Sequence, residues 1–342
     1  MRPRLLCATV AAVFSSFVPA TYGDTLQIVP TTTLSAETAN NTSAADGFAT
    51  QSNGNIAASN ISKVPTQSLL YPGATAPVYA HFMGWFGQSN HMNVGYTSSD
   101  PAVVARQVSD ALSRSITVFM EDWYGPNNAM PNNTMLAVKT ESESRSGQFW
   151  FGVDYDGGAL TKCHNTTGCD MTQQAISDLT YAYNTFETSP AYLRINGRPV
   201  VMFFDPDRYG TLNWSLIAAS VPGNPLFIFR NSGGFTHAAA GGSYAWISID
   251  TTNPNNWAQS YLDNFYATDL KYPAEYGFSA NFKGFNDTLA SWSKNRIMNQ
   301  NCGQTWLNTI SEMNKYFTAG TQIAGVELVT WNDYEEGSEI ES

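Results

Sequence analysis

The sequence predicts an α/β protein, a (β/α)8 or TIM barrel of eight parallel strands, on three observations. Short apolar runs that read as buried parallel strands recur at 78–86, 116–122, 149–154, 200–205, 226–229, 245–249, 277–280 and 326–330. Helical patterns lie between several of them. Eight such units in about 265 residues match the usual size of this barrel. A doubly wound open sheet is the alternative, but no Gly-rich phosphate loop follows the first run.

Ahead of the barrel, Arg2 and Arg4 precede an apolar run at 5–18 and small residues up to Gly23. That is the layout of a secretory signal peptide at 1–23. The run is shorter than the ~20 apolar residues of a membrane span, so an uncleaved anchor is the weaker reading. No later segment is apolar and long enough to cross a bilayer. The chain is therefore expected to be secreted, with no membrane association after cleavage. Residues 24–76 are rich in Ser, Thr, Asn, Ala and Gly and read as a lead-in or linker, with a small β-module as the alternative. The barrel then occupies 77–342.

Within the barrel, Asp100 as N-cap and Pro101 as first helical residue open a helix through Ala111. Residues 172–186, 257–265 and 306–317 carry apolar side chains at helical spacing. The chain stops at Ser342, six residues after Glu336, where a barrel continues into its eighth helix. The expectation is a truncated sequence lacking that last helix.

Composition narrows the function. The 342 residues hold 17 Lys+Arg and 28 Asp+Glu, a net charge of 17 − 28 = −11, with only 13% charged residues. An acidic chain without basic runs is repelled by phosphate backbones, which excludes nucleic acid as a partner. Hydrophobic residues at 43% exclude wholesale disorder. The 9 Trp, 17 Tyr and 19 Phe suit a neutral polar ligand such as a sugar. A monomer without cofactor is expected.

Cys7 leaves with the signal peptide. Cys163 and Cys169 bracket a short polar loop that a disulfide can close. His164 between them raises a metal site as the alternative, but two thiols and one His are an incomplete ligand set, so no metal is expected. Cys302 is left over. Its partner is expected beyond the end of the chain. Acceptor triplets for N-glycosylation begin at Asn40, Asn41, Asn60, Asn132, Asn165, Asn213 and Asn286.

Barrel active sites lie at the C-terminal ends of the strands. Polar and aromatic residues collect where these runs end. They include His81 and Trp85 after the first run, then Glu121, Asp122, Trp123 and Tyr124 after the second. Asp154 and Asp156 follow the third, Asp205 the fourth, Arg230 the fifth and Asp250 the sixth. A ring of carboxylates repels itself, so a purely structural barrel has no use for it. The densest signal follows the last run, Trp331-Asn332-Asp333-Tyr334-Glu335-Glu336-Gly337-Ser338-Glu339-Ile340-Glu341. Asp333 and Glu336 can face the cleft from one turn, whereas Glu335, Glu339 and Glu341 point elsewhere. Glycoside hydrolysis needs such a carboxyl pair, and crowding raises one pKa so that a proton stays available. A solvated acidic tail is the bland alternative. Asp154 to Gly158 lacks the spaced ligands of a calcium loop.

The segment 330–341 resembles the last-strand motif of glycoside hydrolase family 71, the fungal-type endo-α-1,3-glucanases, where Trp-Asn-Asp-Tyr leads to a Glu. It is also similar to the family 99 endo-α-mannosidase-like motif, which ends Glu-Gly-Thr-x-Ile-Glu. The first run, 78–83, resembles the first strand of family 71. Residues 119–126 and 197–201 are similar to the second and fourth strand regions of family 99. The resemblance covers 77–342. It implies a (β/α)8 barrel that hydrolyses an α-linked glycan through Asp333 and Glu336, with Glu336 as proton donor. Family 71 implies inversion; family 99 implies deprotonation of the sugar's own 2-hydroxyl, an epoxide intermediate and retention. Asp at 333 follows family 71, and Glu336-Gly337-Ser338 follows family 99. The candidate substrate contacts are His81, Trp85, Asp122, Trp123, Tyr124, Asp154, Asp156, Asp205, Arg230, Asp250, Trp331, Asn332 and Tyr334. A mannan-cleaving enzyme and a non-catalytic carbohydrate-binding barrel are the competing functions.

Overall fold

The computed structural model describes residues 64–341; the signal peptide and most of the lead-in expected before them lie outside the described residues. The barrel strands are β1 Val78–Met83, β2 Val118–Trp123, β3 Trp150–Asp156, β4 Arg198–Phe204, β5 Leu226–Arg230, β6 Gly242–Tyr244, β7 Tyr276–Phe278 and β8 Val326–Leu328. All are parallel, in the order β8-β1-β2-β3-β4-β5-β6-β7. Ser279 N donates to Gly325 O at 3.1 Å and Asn281 N to Glu327 O at 2.9 Å, which joins the last strand region to β8 and closes the ring. The helices are α1 Pro101–Ser113, α2 Ala129–Ser144, α3 Met171–Ala182, α4 Trp214–Ser220, α5 Gln259–Asp269 and α6 Gln304–Tyr316.

Alternation along each strand decides what faces the lumen. Trp123 Nε1 donates to Asn132 Oδ1 on α2 at 3.2 Å, and Tyr155 OH donates to Asp178 Oδ2 on α3 at 2.8 Å. Those side chains belong to the helix layer. Their neighbours Asp122, Asp154 and Asp156 therefore point inward, and register places Met83, Asp122 and Asp154 side by side on β1, β2 and β3. Sequence alternation thus lines the barrel mouth with carboxyl groups and hides the aromatics outside it.

Local chemistry sets the boundaries. Asp100 caps α1 through Ala102 N at 2.9 Å with Pro101 at the first position, as its sequence predicts. The first strand run ends at Met83 rather than 86, because Gly84 lies against the buried Glu121 carboxyl, where any Cβ would collide. The sixth strand is Gly242–Tyr244 and not 245–249. A Cβ at Gly242 would meet the Tyr276 carbonyl, so glycine is needed at this close approach, and the apolar run begins after the ladder. Helices α2 and α4 have no counterpart in the sequence reading; Pro131, Asn132 and Asn133 break the apolar pattern in the first turn of α2.

The stretch just before the barrel, assigned by composition to the lead-in, packs on it. Leu70, Tyr71 and Ala76 are buried, and Tyr71 OH donates to Gln322 Oε1 at 2.7 Å. Cys163 and Cys169 form a disulfide with a Cα–Cα distance of 5.3 Å. Cys302, expected to be left over, is disulfide-bonded as well. Of the glycosylation triplets, Asn132 has no room for a glycan, because its buried amide bridges Trp123 and Tyr181 OH. Among the described residues no helix is long and apolar enough to cross a membrane.

Glu187, at the end of the turn Tyr183–Glu187 after α3, is buried, and neither carboxyl oxygen has a hydrogen-bond partner. Burial pushes it up to about 8, against the pull of Arg194. A folded-state pKa above the unfolded value of about 4.3 means stability that is complete below that value and is lost as pH rises through about 8. Glu187→Gln is expected to flatten this loss, so that urea unfolding at pH 8.5 finds the variant more stable than the parent, with the gap vanishing at pH 4.

Candidate active site

The site is organised by the loop that follows β8. Thr330 Oγ1 accepts from Asp333 N at 2.8 Å, Glu336 N donates to Asp333 Oδ1 at 2.9 Å, and Ser338 N donates to Asp333 O at 3.2 Å. Ile340 N returns to Thr330 O at 3.1 Å, and Glu341 N to Trp331 O at 2.7 Å, so the segment folds back on itself. The solvated-tail reading is therefore corrected. Glu341 is buried and accepts from Tyr96 OH at 2.7 Å and Gln107 Nε2 at 2.9 Å, which ties the loop to α1. Glu335 accepts from Met92 N at 3.0 Å and meets His91 Nδ1 at 2.8 Å. Lys283 Nζ donates to Glu339 Oε1 at 2.9 Å. These three glutamates are occupied away from Asp333 and Glu336.

Asp333 is buried, while Glu336 is only partly so. Burial pushes Asp333 well above the carboxylate range, and repulsion from Glu336 adds to it. Burial likewise pushes Glu336 up to about 7, against the pull of Arg296. Asp122 is raised first by burial and then by Asp156, Asp154, Asp333 and Glu121, so these carboxyl groups share one electrostatic neighbourhood. Asp156 reaches about 6, burial being partly offset by the Gly158 amide and Arg208. Tyr124 belongs to the same group, since Asp122, Asp156, Arg208 and Asp333 all act on its hydroxyl.

Below this rim, a polar layer fills the lumen. His81 lies with Nδ1 3.2 Å from Glu327 Oε1 and Nε2 3.5 Å from Asp154 Oδ2, its ring edge-on to Trp246 at 4.6 Å. Burial, helped by Arg230, lowers His81 to about 3, so it is neutral; its contact with Glu327 is a hydrogen bond rather than an ion pair, and Nε2 only lies near Asp154 without bonding it. Tyr244 OH donates to Asp154 Oδ2 at 3.2 Å. Arg230 stacks on Phe204 at 4.0 Å and reaches Asp205 Oδ1 at 3.4 Å.

The structure thus brings together His81, Asp122, Tyr124, Asp154, Asp156, Arg230, Asp333 and Glu336. Others are elsewhere. Trp123 sits in the helix layer, and Trp331 is fully buried between Phe119 and the Arg114 guanidinium, so neither has a face to offer a ligand. Asn332 is spent on β1, accepting from Met83 N at 2.7 Å and donating to Met83 O at 3.0 Å. Tyr334 packs against Phe86 in an aromatic cluster with Trp85, whose ring stacks on His91 at 5.1 Å. Asp205 is half exposed beside Arg230. Asp250 is an exposed loop cap for Thr252 and Asn256, which hold it down at about 2. Three site-lining residues escaped sequence reading: Glu327, Trp246 and Arg296. Only Glu327 left a signal, a charge inside an otherwise apolar strand.

Glycosidic bonds are split by paired carboxyl groups, and barrels do their chemistry at this mouth. The class that fold and site define is the glycoside hydrolases, enzymes that cleave glycans. The sequence model of glycosyl hydrolase family 71 matches residues 133–340, and the chain belongs to that family. Among solved structures, the chain is similar to the GH99 endo-alpha-mannosidase of Bacteroides thetaiotaomicron at 14% identity and a TM-score of 0.57, covering 78% of this chain and 87% of that one. The same enzyme in complex with Bis-Tris propane aligns at 16% identity and a TM-score of 0.58, covering 78% and 86%. A glycoside hydrolase-like protein aligns at 15% identity and a TM-score of 0.56, covering 79% and 87%. At such identities the likeness is one of fold. No curated protein matches the chain.

Because Asn332 satisfies both Met83 N–H and Met83 C=O, Asn332→Ala leaves two buried backbone groups unpaired. It is expected to cost about 2–3 kcal/mol in urea unfolding.

Proposed function

We propose that the chain is a secreted endo-α-1,3-glucanase in which Glu336 is the general acid and Asp333 the base. The observation that supports it is the state of Glu336. It is the one glutamate of the 335–341 loop without a committed side-chain partner in the fold described above, it stays partly open to the cleft, and burial holds its proton up to about 7. One turn away, Asp333 is also raised by burial, so the pair releases its protons in two steps. The Glu336 amide on Asp333 Oδ1 lowers Asp333 only against the larger push of burial and of the Glu336 carboxylate.

In the reaction, Asp333 removes a proton from water as the water oxygen bonds to the anomeric carbon. The bond from that carbon to the bridging oxygen breaks, and Glu336 delivers its proton to that oxygen. Inversion follows from a single displacement. Tyr124, Asp122, Asp156 and Arg230 supply donors and acceptors for sugar hydroxyls around the pair. An endo-α-mannosidase-like reaction is the second reading, favoured by the run from Glu336 to Glu341; there Asp333 would take the 2-hydroxyl proton instead.

Incubation with α-1,3-glucan, other α-glucans and α-mannan, with products identified by mass spectrometry, tests the assignment. Oligosaccharides from α-1,3-glucan are expected; release from mannan alone would replace glucanase by mannosidase, and binding without products would mark a carbohydrate-binding barrel. Proton NMR of the first-formed anomer separates inversion from retention. Glu336→Gln keeps the shape and removes the acid, and a loss of about 10²–10⁴ in kcat is expected. Since the acid works protonated, kcat/KM is expected to fall as pH rises past about 7, and a profile flat to pH 9 would remove Glu336 from that role.

A further inference from the structure

After β7 the chain leaves the C-terminal face and makes a small antiparallel hairpin, Phe285–Asn286 paired with Ile297–Met298. Its root touches the catalytic loop, because Asn286 N donates to Glu336 O at 2.6 Å. Arg296, the cation that acts most strongly on Glu336, lies on its returning arm. The turn is stiff. Asp287, itself buried, accepts from Arg296 N and Nε, both at 2.7 Å, from Ser293 Oγ at 3.2 Å and from Lys294 N at 3.3 Å. Asn299 N then donates to Pro254 O at 2.7 Å, joining the hairpin to the loop after β6.

On this braced turn stands Trp292, 43% exposed, the one exposed tryptophan of the nine. Leu289 and Ile297 on the same hairpin are exposed too. An exposed indole on a braced hairpin whose root touches the Glu336 loop offers a flat π-face to the C–H face of a pyranose at little ordering cost. We propose that Trp292 is an outer subsite that stacks a sugar unit of the polymeric α-glucan chain beyond those at Asp333 and Glu336. It makes the enzyme prefer polymer over short oligosaccharides. The occupant is the substrate itself, since the root of the hairpin is hydrogen-bonded to the Glu336 loop. This inference rests on the glycanase reading above.

The test compares the full chain with Trp292→Ala, Trp292→Phe and, as a control at a remote exposed leucine after α5, Leu270→Ala. Trp292→Ala is expected to raise KM for soluble α-1,3-glucan chains about tenfold with kcat largely kept, the order one aromatic stack supplies. Trp292→Phe is expected to restore most of it and Leu270→Ala to match the parent. An unchanged KM in Trp292→Ala, or a loss that Phe does not restore, overturns the subsite. A parent chain that cleaves none of the polymers sinks the glucanase reading instead. Retention on insoluble α-1,3-glucan and α-mannan then decides the subsite: weaker retention of Trp292→Ala supports it, and equal or no retention overturns it. If sedimentation finds a dimer of the parent chain that Trp292→Ala dissolves, the patch joins two copies and the subsite is overturned.

Discussion

The site depends on one constraint, the anchoring of Asp333 and its flanks in the loop after β8 by backbone, hydroxyl and amide hydrogen bonds. Thr330 Oγ1 fixes the Asp333 amide, the Glu336 amide fixes the Asp333 carboxyl, and Asn332 clamps both backbone groups of Met83. Four acidic side chains between 333 and 339 would otherwise splay apart and hydrate. The Thr330 hydroxyl and the Glu336 N–H hold Asp333 without a cation, while Lys283 takes Glu339. Glu335, Glu339 and Glu341 have partners of their own, while Glu336 stays partly exposed.

Burial of so many carboxyl groups has an energetic side. Asp122, Asp154, Asp156, Asp333 and Glu327 lie in or at the lumen with pKa values raised mainly by desolvation. Each is held toward its protonated form, and its share of stability is lost as pH rises. His81 works the other way: lowered to about 3, it costs stability as pH falls from about 6.5. Glu143, Asp207, Asp250 and Asp287, held low outside the lumen, act in the same direction as His81.

Most of the barrel was legible because parallel strands covered on both faces must read as apolar runs. The exceptions have physical causes. β6 opens on Gly242, where the close Tyr276 carbonyl leaves no room for a Cβ, and continues Ser-Tyr, so hydrophobicity marks the five residues after it. α2 hides behind Pro131 and two asparagines. For the site, closeness to a strand end in sequence was a weaker guide than the period of two. Asp122 and Trp123 are adjacent, yet alternation sends one into the lumen and the other under α2. Arg296 could not be read at all, since forty residues, with α6 and β8 among them, separate it from Glu336, and only folding joins them.

Asn132 carries a last consequence. Its amide is buried between Trp123 and Tyr181, and those three side chains hold α2 and α3 against β2. In a secretory pathway that attaches glycans as the chain emerges, this triplet enters a race between the transferase and the closure of α2. A chain that loses the race bears a sugar where an indole must sit, and its barrel cannot shut. A host without that transferase, or Asn132 preserved and Thr134 replaced, takes the race away.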